Sequence, residues 1–308
     1  MKVLLLGAGG FIGSALTEKI AADDTNSIIA YGRSVVPGQY KRGNITYIRD
    51  EFRNINEHLP FPGDCDVIIH SVSSLLPVSD NFNDEMRNVI TPTISLLEHF
   101  KNSKKHFVFL SSGGAVYELN SREKLREDMP LKAYNFYGLS KIMLENIFLF
   151  YRERYGTRVT VLRPSNVFGY RSNNIGLNGI ISTLINNCVS RTTTDIWGTG
   201  EAIRDYIHID DFTDIVYKVA QKNLTGIYNV SSNNAKSVNE IIDIINRYSP
   251  DKCNINYKEN LYQLPGCIIL DNEKITRTLS TGPQRGFEEQ ISELVTKYYA
   301  GRKKTASF

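Results

Sequence analysis

Tyr137 and Lys141 stand four residues apart in a segment, 137–155, whose apolar positions recur at helical spacing. Residues four apart share one helix face, so the phenol and the ammonium are neighbours. A phenol titrates near 10 and is a poor base at neutral pH. An adjacent cation favours the phenolate, and the expectation is a lowered Tyr137 pKa. Such a pair suits proton transfer at a hydroxyl or carbonyl oxygen. A second cluster opens the chain, where Gly7-Ala8-Gly9-Gly10-Phe11-Ile12-Gly13 directly follows an apolar run. If this loop meets a dinucleotide, Gly7 permits the tight turn, Gly10 lets the backbone approach the pyrophosphate, and Gly13 lets the next helix pack closely. The helix N-terminus then offers free N–H groups and partial positive charge to the phosphates. Together the two clusters point to hydride transfer.

The choice of dinucleotide is read at the end of the second strand. NAD sites place a carboxylate there to accept the ribose 2′-hydroxyl. Here the residues are Ala30-Tyr31-Gly32-Arg33-Ser34, without an acid. The planar fork of Arg33 suits a 2′-phosphate, so NADP(H) is favoured and NAD(H) is the alternative. Asp50 or Glu51, after the third strand, is the candidate acceptor for the adenine amino group.

Composition excludes several other classes. The 308 residues carry a formal net charge of +3, too little to argue for nucleic acid. Cys65, Cys188, Cys253 and Cys267 have no CxxC spacing and read as reduced thiols of a cytoplasmic protein, with no metal site. Lys2 followed by apolar residues mimics a secretory signal, but the glycines at 7, 9, 10 and 13 interrupt it. No apolar stretch reaches the roughly 18 residues that span a bilayer, so no membrane partner is expected. His208 with Asp210 and Asp211 matches no metal-ligand signature, and His70 at the end of an apolar strand reads as packed. Trp197 reads equally as core or as a base-stacking residue, and residues 301–304 as a solvated tail.

The elements that must position these groups alternate in type. Lys2–Leu6, Ser27–Tyr31, Ile45–Ile48, Val67–His70 and His106–Leu110 read as strands, followed by 158–162. Residues 85–100 read as a helix bent at Pro92, and 137–155 as a helix closed by Gly156. This alternation predicts an α/β fold: a Rossmann-like doubly wound parallel sheet, with ligands beyond the carboxyl ends of its strands. After Pro164 the rhythm changes. A nucleotide-binding domain over 1–165 and a smaller C-terminal substrate-binding domain over 166–308 are expected, with the chain free to cross back.

Several stretches in this order carry a resemblance. They are the glycine loop, Val67–His70, 88–98 (NVITPTISLLE), 111–117 (SSGGAVY), Tyr137 to Lys141, 162–169 (LRPSNVFG) and 198–211 (GTGEAIRDYIHIDD). The chain resembles the extended short-chain dehydrogenase/reductases, in particular the branch of nucleotide-sugar epimerases, dehydratases and reductases. The resemblance implies a Ser/Thr–Tyr–Lys catalytic group acting with NAD(P). Tyr137 and Lys141 match directly. The family's Ser or Thr falls on Gly113 here, so Ser112 is the candidate and Ser111 the alternative. The resemblance also implies cofactor contacts from Gly7, Gly10, Phe11, Ile12, Gly13, Ser71, Asn88, Tyr137 and Lys141. It implies substrate contacts from Ser112, Tyr137, Asn166 and Arg204, the last two at the sugar-nucleotide diphosphate. A second diphosphate arginine is missing from 260–265, which reads NLYQLP.

Two chemistries fit. A 4-epimerase removes and returns one hydride and holds its cofactor, whereas a 4-keto reductase uses fresh NAD(P)H in each cycle. Arg33 favours reduction of a nucleotide-activated 4-keto-6-deoxyhexose, such as dTDP-4-dehydro-6-deoxyglucose, for deoxysugar and polysaccharide biosynthesis. The alternative is a UDP-sugar 4-epimerase. A 4,6-dehydratase would carry an acidic pair where Gly114 and Ala115 stand. A non-catalytic dinucleotide-binding regulator is the third reading, disfavoured by the retained Tyr137 and Lys141. Pairing into a homodimer is expected by analogy with the family.

Overall fold

A computed structural model describes residues 1–61, 64–76, 79, 81–119, 123–170, 179–259, 266–280 and 285–305, with backbone alone for 303–305. The chain runs β1 (Lys2–Leu6), α1 (Phe11–Ala21), β2 (Ser27–Tyr31), β3 (Ile45–Ile48), a 3-10 turn (Phe52–His58) and β4 (Val67–His70). Then come α2 (Phe82–Glu85), a π turn (Met86–Ile90), α3 (Thr91–Phe100), β5 (His106–Leu110), α4 (Gly113–Val116), α5 (Phe136–Tyr155) and β6 (Arg158–Pro164). The later elements are β7 (Asn166–Phe168), α6 (Gly179–Ser190), β8 (Thr193–Trp197), β9 (Ile203–His208), α7 (Ile209–Gln221) and β10 (Gly226–Val230). Last come β11 (Asn234–Ser237), α8 (Val238–Tyr248), β12 (Asn254–Lys258), β13 (Cys267–Ile268), α9 (Glu273–Leu279) and α10 (Phe287–Thr305).

Two compact units result. The first comprises 1–118, 127–164 and 213–230, and the second 119–126, 165–212 and 231–308. In the first, seven parallel strands order as β10-β6-β5-β4-β1-β2-β3. This is a Rossmann-like sheet, and its order reverses direction between β1 and β4. Ligand crevices in such sheets open at that switch point, past the carboxyl ends of the strands. Burial explains why these segments are strands: Val3 to Leu6, Val67 to His70 and all of β5 are buried, as parallel strands covered on both faces must be. The core of this unit is built from Leu4, Leu6, Ile68, Phe107, Phe109, Leu144 and Phe148 among others.

The second unit holds a small sheet of β11-β9-β13 with β7 beside β9, and a separate pair of β12 with β8. Helices α6, α8 and α10 enclose a core that includes Leu184, Ile241, Ile245, Ile291 and Leu294. Helix α8 begins at a capping box: Ser237 accepts from the Glu240 N–H, and Glu240 returns the bond to the Ser237 N–H.

Two local expectations need correction. The helix expected over 85–100 is interrupted before Pro92, because the chain passes through the π turn and restarts as α3 with Pro92 in its first turn. Proline offers no N–H to the carbonyl four residues back and its ring crowds that carbonyl, so the register shifts upstream of it. Residues 301–304, expected as a solvated tail, continue α10.

Candidate active site

The glycine loop leaves β1 through Gly7, which sits at φ +83, a conformation few residues with a Cβ adopt. A Cβ on Gly13 would lie 2.1 Å from the Gly7 carbonyl oxygen, so only glycine lets α1 begin this close to the strand end. Ser71, just past β4, joins the turn: its hydroxyl donates to the Leu6 carbonyl at 2.6 Å. Helix α1 starts after Gly10 with no side-chain cap and no acid in its first turn. Its orphan N–H groups and positive end are left for an anion, a cradle that fits the pyrophosphate of a dinucleotide.

Arg33 lies just past β2, exposed, and its guanidinium has no partner among the described residues. Its carbonyl accepts a bond from Arg49 Nε at 3.2 Å. Asp50 is partnered otherwise: it accepts from Glu51 N–H at 2.7 Å and Asn54 at 2.8 Å, and bonds His58 at 2.7 Å. The His58 bond leads in holding its carboxyl below the usual range. The Glu51 carboxylate pairs with Arg53 at 2.6 Å. Asn88 is half-buried in the π turn.

The serine question has a geometric answer. Ser111 is buried and its hydroxyl donates into the interior, to Glu145. Ser112, one residue on, is half-buried, and its hydroxyl acts on the Tyr137 phenol, lowering its pKa. Two features bring α5 to this place. Asn135 caps it by accepting from the Gly138 N–H at 2.8 Å. A Cβ on Gly138 would stand 2.4 Å from the Ala115 carbonyl, so glycine permits the contact between the first turns of α5 and α4.

Lys141, one turn along and buried, donates to the Leu110 carbonyl at 3.1 Å, 5.6 Å from the Tyr137 ring centre and 5.2 Å from that of Phe109. Burial lowers its pKa to about 8, against the opposing charges of Glu85 and Glu145. The expected fall of the Tyr137 pKa is not what the structure has. Burial raises it, the Ser112 hydroxyl lowers it and Glu85 raises it further, so the net direction is upward. The phenol is therefore a proton donor in the isolated chain.

Asn166 is exposed at the start of β7, and Arg204 is half-buried on the adjacent β9 of the second unit. Arg204 donates to the Ile203 carbonyl at 2.8 Å and meets no carboxylate among the described residues. Burial without a counter-ion lowers its pKa. Residues 260–265 lie outside the described residues.

Sequence reasoning missed the carboxylates around Lys141. Glu85 is fully buried and accepts from Ser140 at 2.6 Å and from the Ser74 N–H at 3.0 Å and hydroxyl. Glu145 is bound by Arg163 through Nε at 3.0 Å and Nη2 at 2.6 Å. The signal for Glu85 was its place on the i, i+4 stripe with Val89, Thr93 and Leu97, all buried. His70 is packed among Phe52, Phe109 and Phe148 and bonds Thr93 at 2.9 Å; burial takes its pKa to about 3. His208 is likewise buried, its pKa lowered to about 4, and accepts from the Asp210 N–H at 3.3 Å. No cluster of three or more metal-ligating side chains occurs among the described residues. None of their helices is long and apolar enough to cross a membrane. Trp197 is 54% exposed with the Lys258 ammonium 5.5 Å from its ring centre.

Comparison with known proteins extends the resemblance. Residues 3–231 match the model of the NAD-dependent epimerase/dehydratase family. A protein of Methanocaldococcus jannaschii provisionally named a UDP-glucose 4-epimerase is 29% identical, over 95% of this chain and 97% of its own. An Escherichia coli dTDP-4-dehydro-6-deoxyglucose reductase is 25% identical, over 95% and 96%. Among solved structures, a Bacillus cereus UDP-glucuronic acid 4-epimerase variant, in complex with UDP-4-deoxy-4-fluoro-glucuronic acid and NAD, superposes with a TM-score of 0.87. That alignment covers 97% of this chain and 99% of the other at 22% identity, which speaks for the fold. With the glycine cradle, the Tyr137–Lys141 pair and three quarters of its length matched, the chain belongs to the NAD-dependent epimerase/dehydratase family.

Proposed function

We propose that this protein is an NAD(P)H-dependent reductase of the C4 keto group of a nucleotide-activated 4-keto-6-deoxyhexose, of which dTDP-4-dehydro-6-deoxyglucose is the model substrate. The observation that carries the reading is the buried Lys141, its ammonium 5.6 Å from the Tyr137 ring centre and donating to the Leu110 carbonyl at the carboxyl end of β5, in the same unit as the glycine loop. The residues fit a dinucleotide: Gly7, Gly10 and Gly13 with the α1 N-terminus would hold its pyrophosphate. Phe11, Ile12, Ser71 and Asn88 are assigned to the same dinucleotide. When bound, the dinucleotide supplies the hydride equivalent for C4.

The chain's own residues handle the oxygen and the proton. Ser112 and Tyr137 donate hydrogen bonds to the C4 oxygen, which polarises the carbonyl and stabilises negative charge as it develops. Tyr137 then delivers its proton to that oxygen. Its raised pKa keeps the phenol protonated beforehand, and the ammonium of Lys141 stabilises the phenolate left behind. Asn166 and Arg204 are assigned to the substrate diphosphate, because Arg204 is a sheltered guanidinium that meets no carboxylate among the described residues.

NADP(H) is the preferred dinucleotide in this reading because Arg33, which has no partner among the described residues, stands where an NAD site carries an acid. A UDP-sugar 4-epimerase is the second reading, supported by the naming of the relative that is 29% identical. The two are separated by denaturing freshly purified protein, analysing the released nucleotide, and assaying both substrates. An empty protein that oxidises NADPH with dTDP-4-dehydro-6-deoxyglucose is the expected result. Stoichiometric NAD released together with interconversion of UDP-sugars would overturn the reductase reading in favour of the epimerase.

A further inference from the structure

Among the described residues, no cation forms an ion pair with Glu85. The last residue of α2, it has no exposed surface, and its three hydrogen bonds come from neutral donors, Ser140 and the N–H and hydroxyl of Ser74. Ser140 lies between Tyr137 and Lys141 in the chain, so this carboxylate grips the turn of α5 that bears both groups. Through Ser74 it also grips the segment following β4. Burying an ionised carboxylate is costly unless a favourable field compensates for it. Lys141 provides that field, and Glu85 acts on it in return.

We infer that Glu85 is a positioning residue for the Tyr137–Lys141 pair, holding α5 through Ser140 and facing the Lys141 ammonium with an uncancelled negative charge. The inference rests on the proposed reading, in which that pair serves the reacting oxygen. Glu145 also raises the Lys141 pKa, but it does not hold Ser140 and it is paired with a cation. Glu145 on α5 is bound to Arg163 of β6, His70 of β4 is neutral, and β5 offers the Leu110 carbonyl and the Phe109 ring. Tyr137 itself is a neutral phenol. Removing the charge of Glu85 therefore makes the ammonium harder to keep.

The test reads Lys141 directly and needs neither cofactor nor substrate. The full chain is labelled with 13C-lysine, and the Lys141 Cε resonance is assigned by its loss in Lys141→Met. The wild-type signal is expected to titrate near pH 8. In Glu85→Gln the midpoint falls by about one unit, and in Glu85→Asp, which keeps the charge but withdraws it, by less. Where Glu85→Gln does not fold, the aspartate variant decides alone. An unchanged Lys141 midpoint in every folded variant overturns the inference. Turnover supplies a second readout: in Glu85→Gln the alkaline limb of kcat moves down by the same interval, with KM for the sugar nucleotide little changed. A wild type inactive on every nucleotide sugar, with Lys141 still moving in the variants, would be a failure of the reductase reading alone.

Discussion

The carboxylates of Glu145 and Glu85 flank the same lysine, yet they are partnered in opposite ways. Glu145 is bound side-on by Arg163, both side chains are at most 2% exposed, and Ser111 adds a third donor. Its charge is paired directly with a cation, although it still raises the Lys141 pKa. Glu85, equally buried, has only serine donors, so its charge reaches outward. The difference separates architecture from chemistry. Ser111 belongs to the ion pair and packs β5 against α5, whereas Ser112 turns to Tyr137. One residue of chain divides the two tasks.

The largest effect should come from breaking the ion pair. Arg163→Met leaves Glu145 buried and uncompensated, and such a loss costs about 3–5 kcal/mol of stability. Denaturant unfolding measures it, and a loss below about 1 kcal/mol would erase the distinction drawn between the two carboxylates. The two serines come next. Ser112→Ala should cost roughly a hundredfold in kcat, as a lost donor to a developing oxyanion does. Ser111→Ala should lower stability by about 1 kcal/mol and leave turnover nearly intact. If Ser111→Ala proves the slower enzyme, the division between them is wrong.

A smaller effect probes another uncancelled charge. Arg33→Ala should weaken NADPH roughly tenfold and NADH little, since a charge-assisted bond to phosphate contributes about 1.5–3 kcal/mol less the solvent screening at an exposed site. Fluorescence titration of the two reduced dinucleotides reads this, and equal losses would remove Arg33 from the 2′-position.

An effect that is absent at neutral pH and appears only on acidification concerns His70, the uncharged neighbour of Lys141. Its folded pKa near 3 lies below the ordinary 6.5, so the unfolded chain binds the proton first on acidification. The stability it supports is complete above pH 6.5 and is lost as pH falls towards 3, at about 1.4 kcal/mol per pH unit. His70→Gln should flatten that part of the melting profile, and an unaltered slope would show that His70 carries no proton linkage.

Much of the first unit was legible from pattern alone. Lys2–Leu6, Val67–His70 and His106–Leu110 are short apolar runs between polar breaks, and buried parallel strands require such runs. Gly156, at φ +68, ends α5 where the apolar rhythm stops. The Tyr137–Lys141 neighbourhood followed from the helical repeat. Three things were hidden. The π turn before Pro92 depends on where the backbone yields to the proline ring, and composition does not encode that position. The direction of the Tyr137 pKa turns on burial, reinforced by the Glu85 charge and opposed by Ser112, none of which the spacing to Lys141 makes visible. The partners of Glu85 come from positions 74 and 140, so their meeting is a product of the fold. The second unit was harder because strands such as Thr193–Trp197 alternate in burial and Asn254–Lys258 is largely polar.

The proposed reduction of a sugar-nucleotide carbonyl carbon beside the Tyr137 phenol can be followed by supplying NADPH deuterated at the nicotinamide C4 with dTDP-4-dehydro-6-deoxyglucose and locating the isotope in the product by NMR. One deuterium at C4 of the sugar is expected from the wild type, and a loss of product on the order of a thousandfold in Tyr137→Phe with NADPH affinity retained. Product without deuterium, or labelled product formed equally fast by the phenylalanine variant, would contradict it.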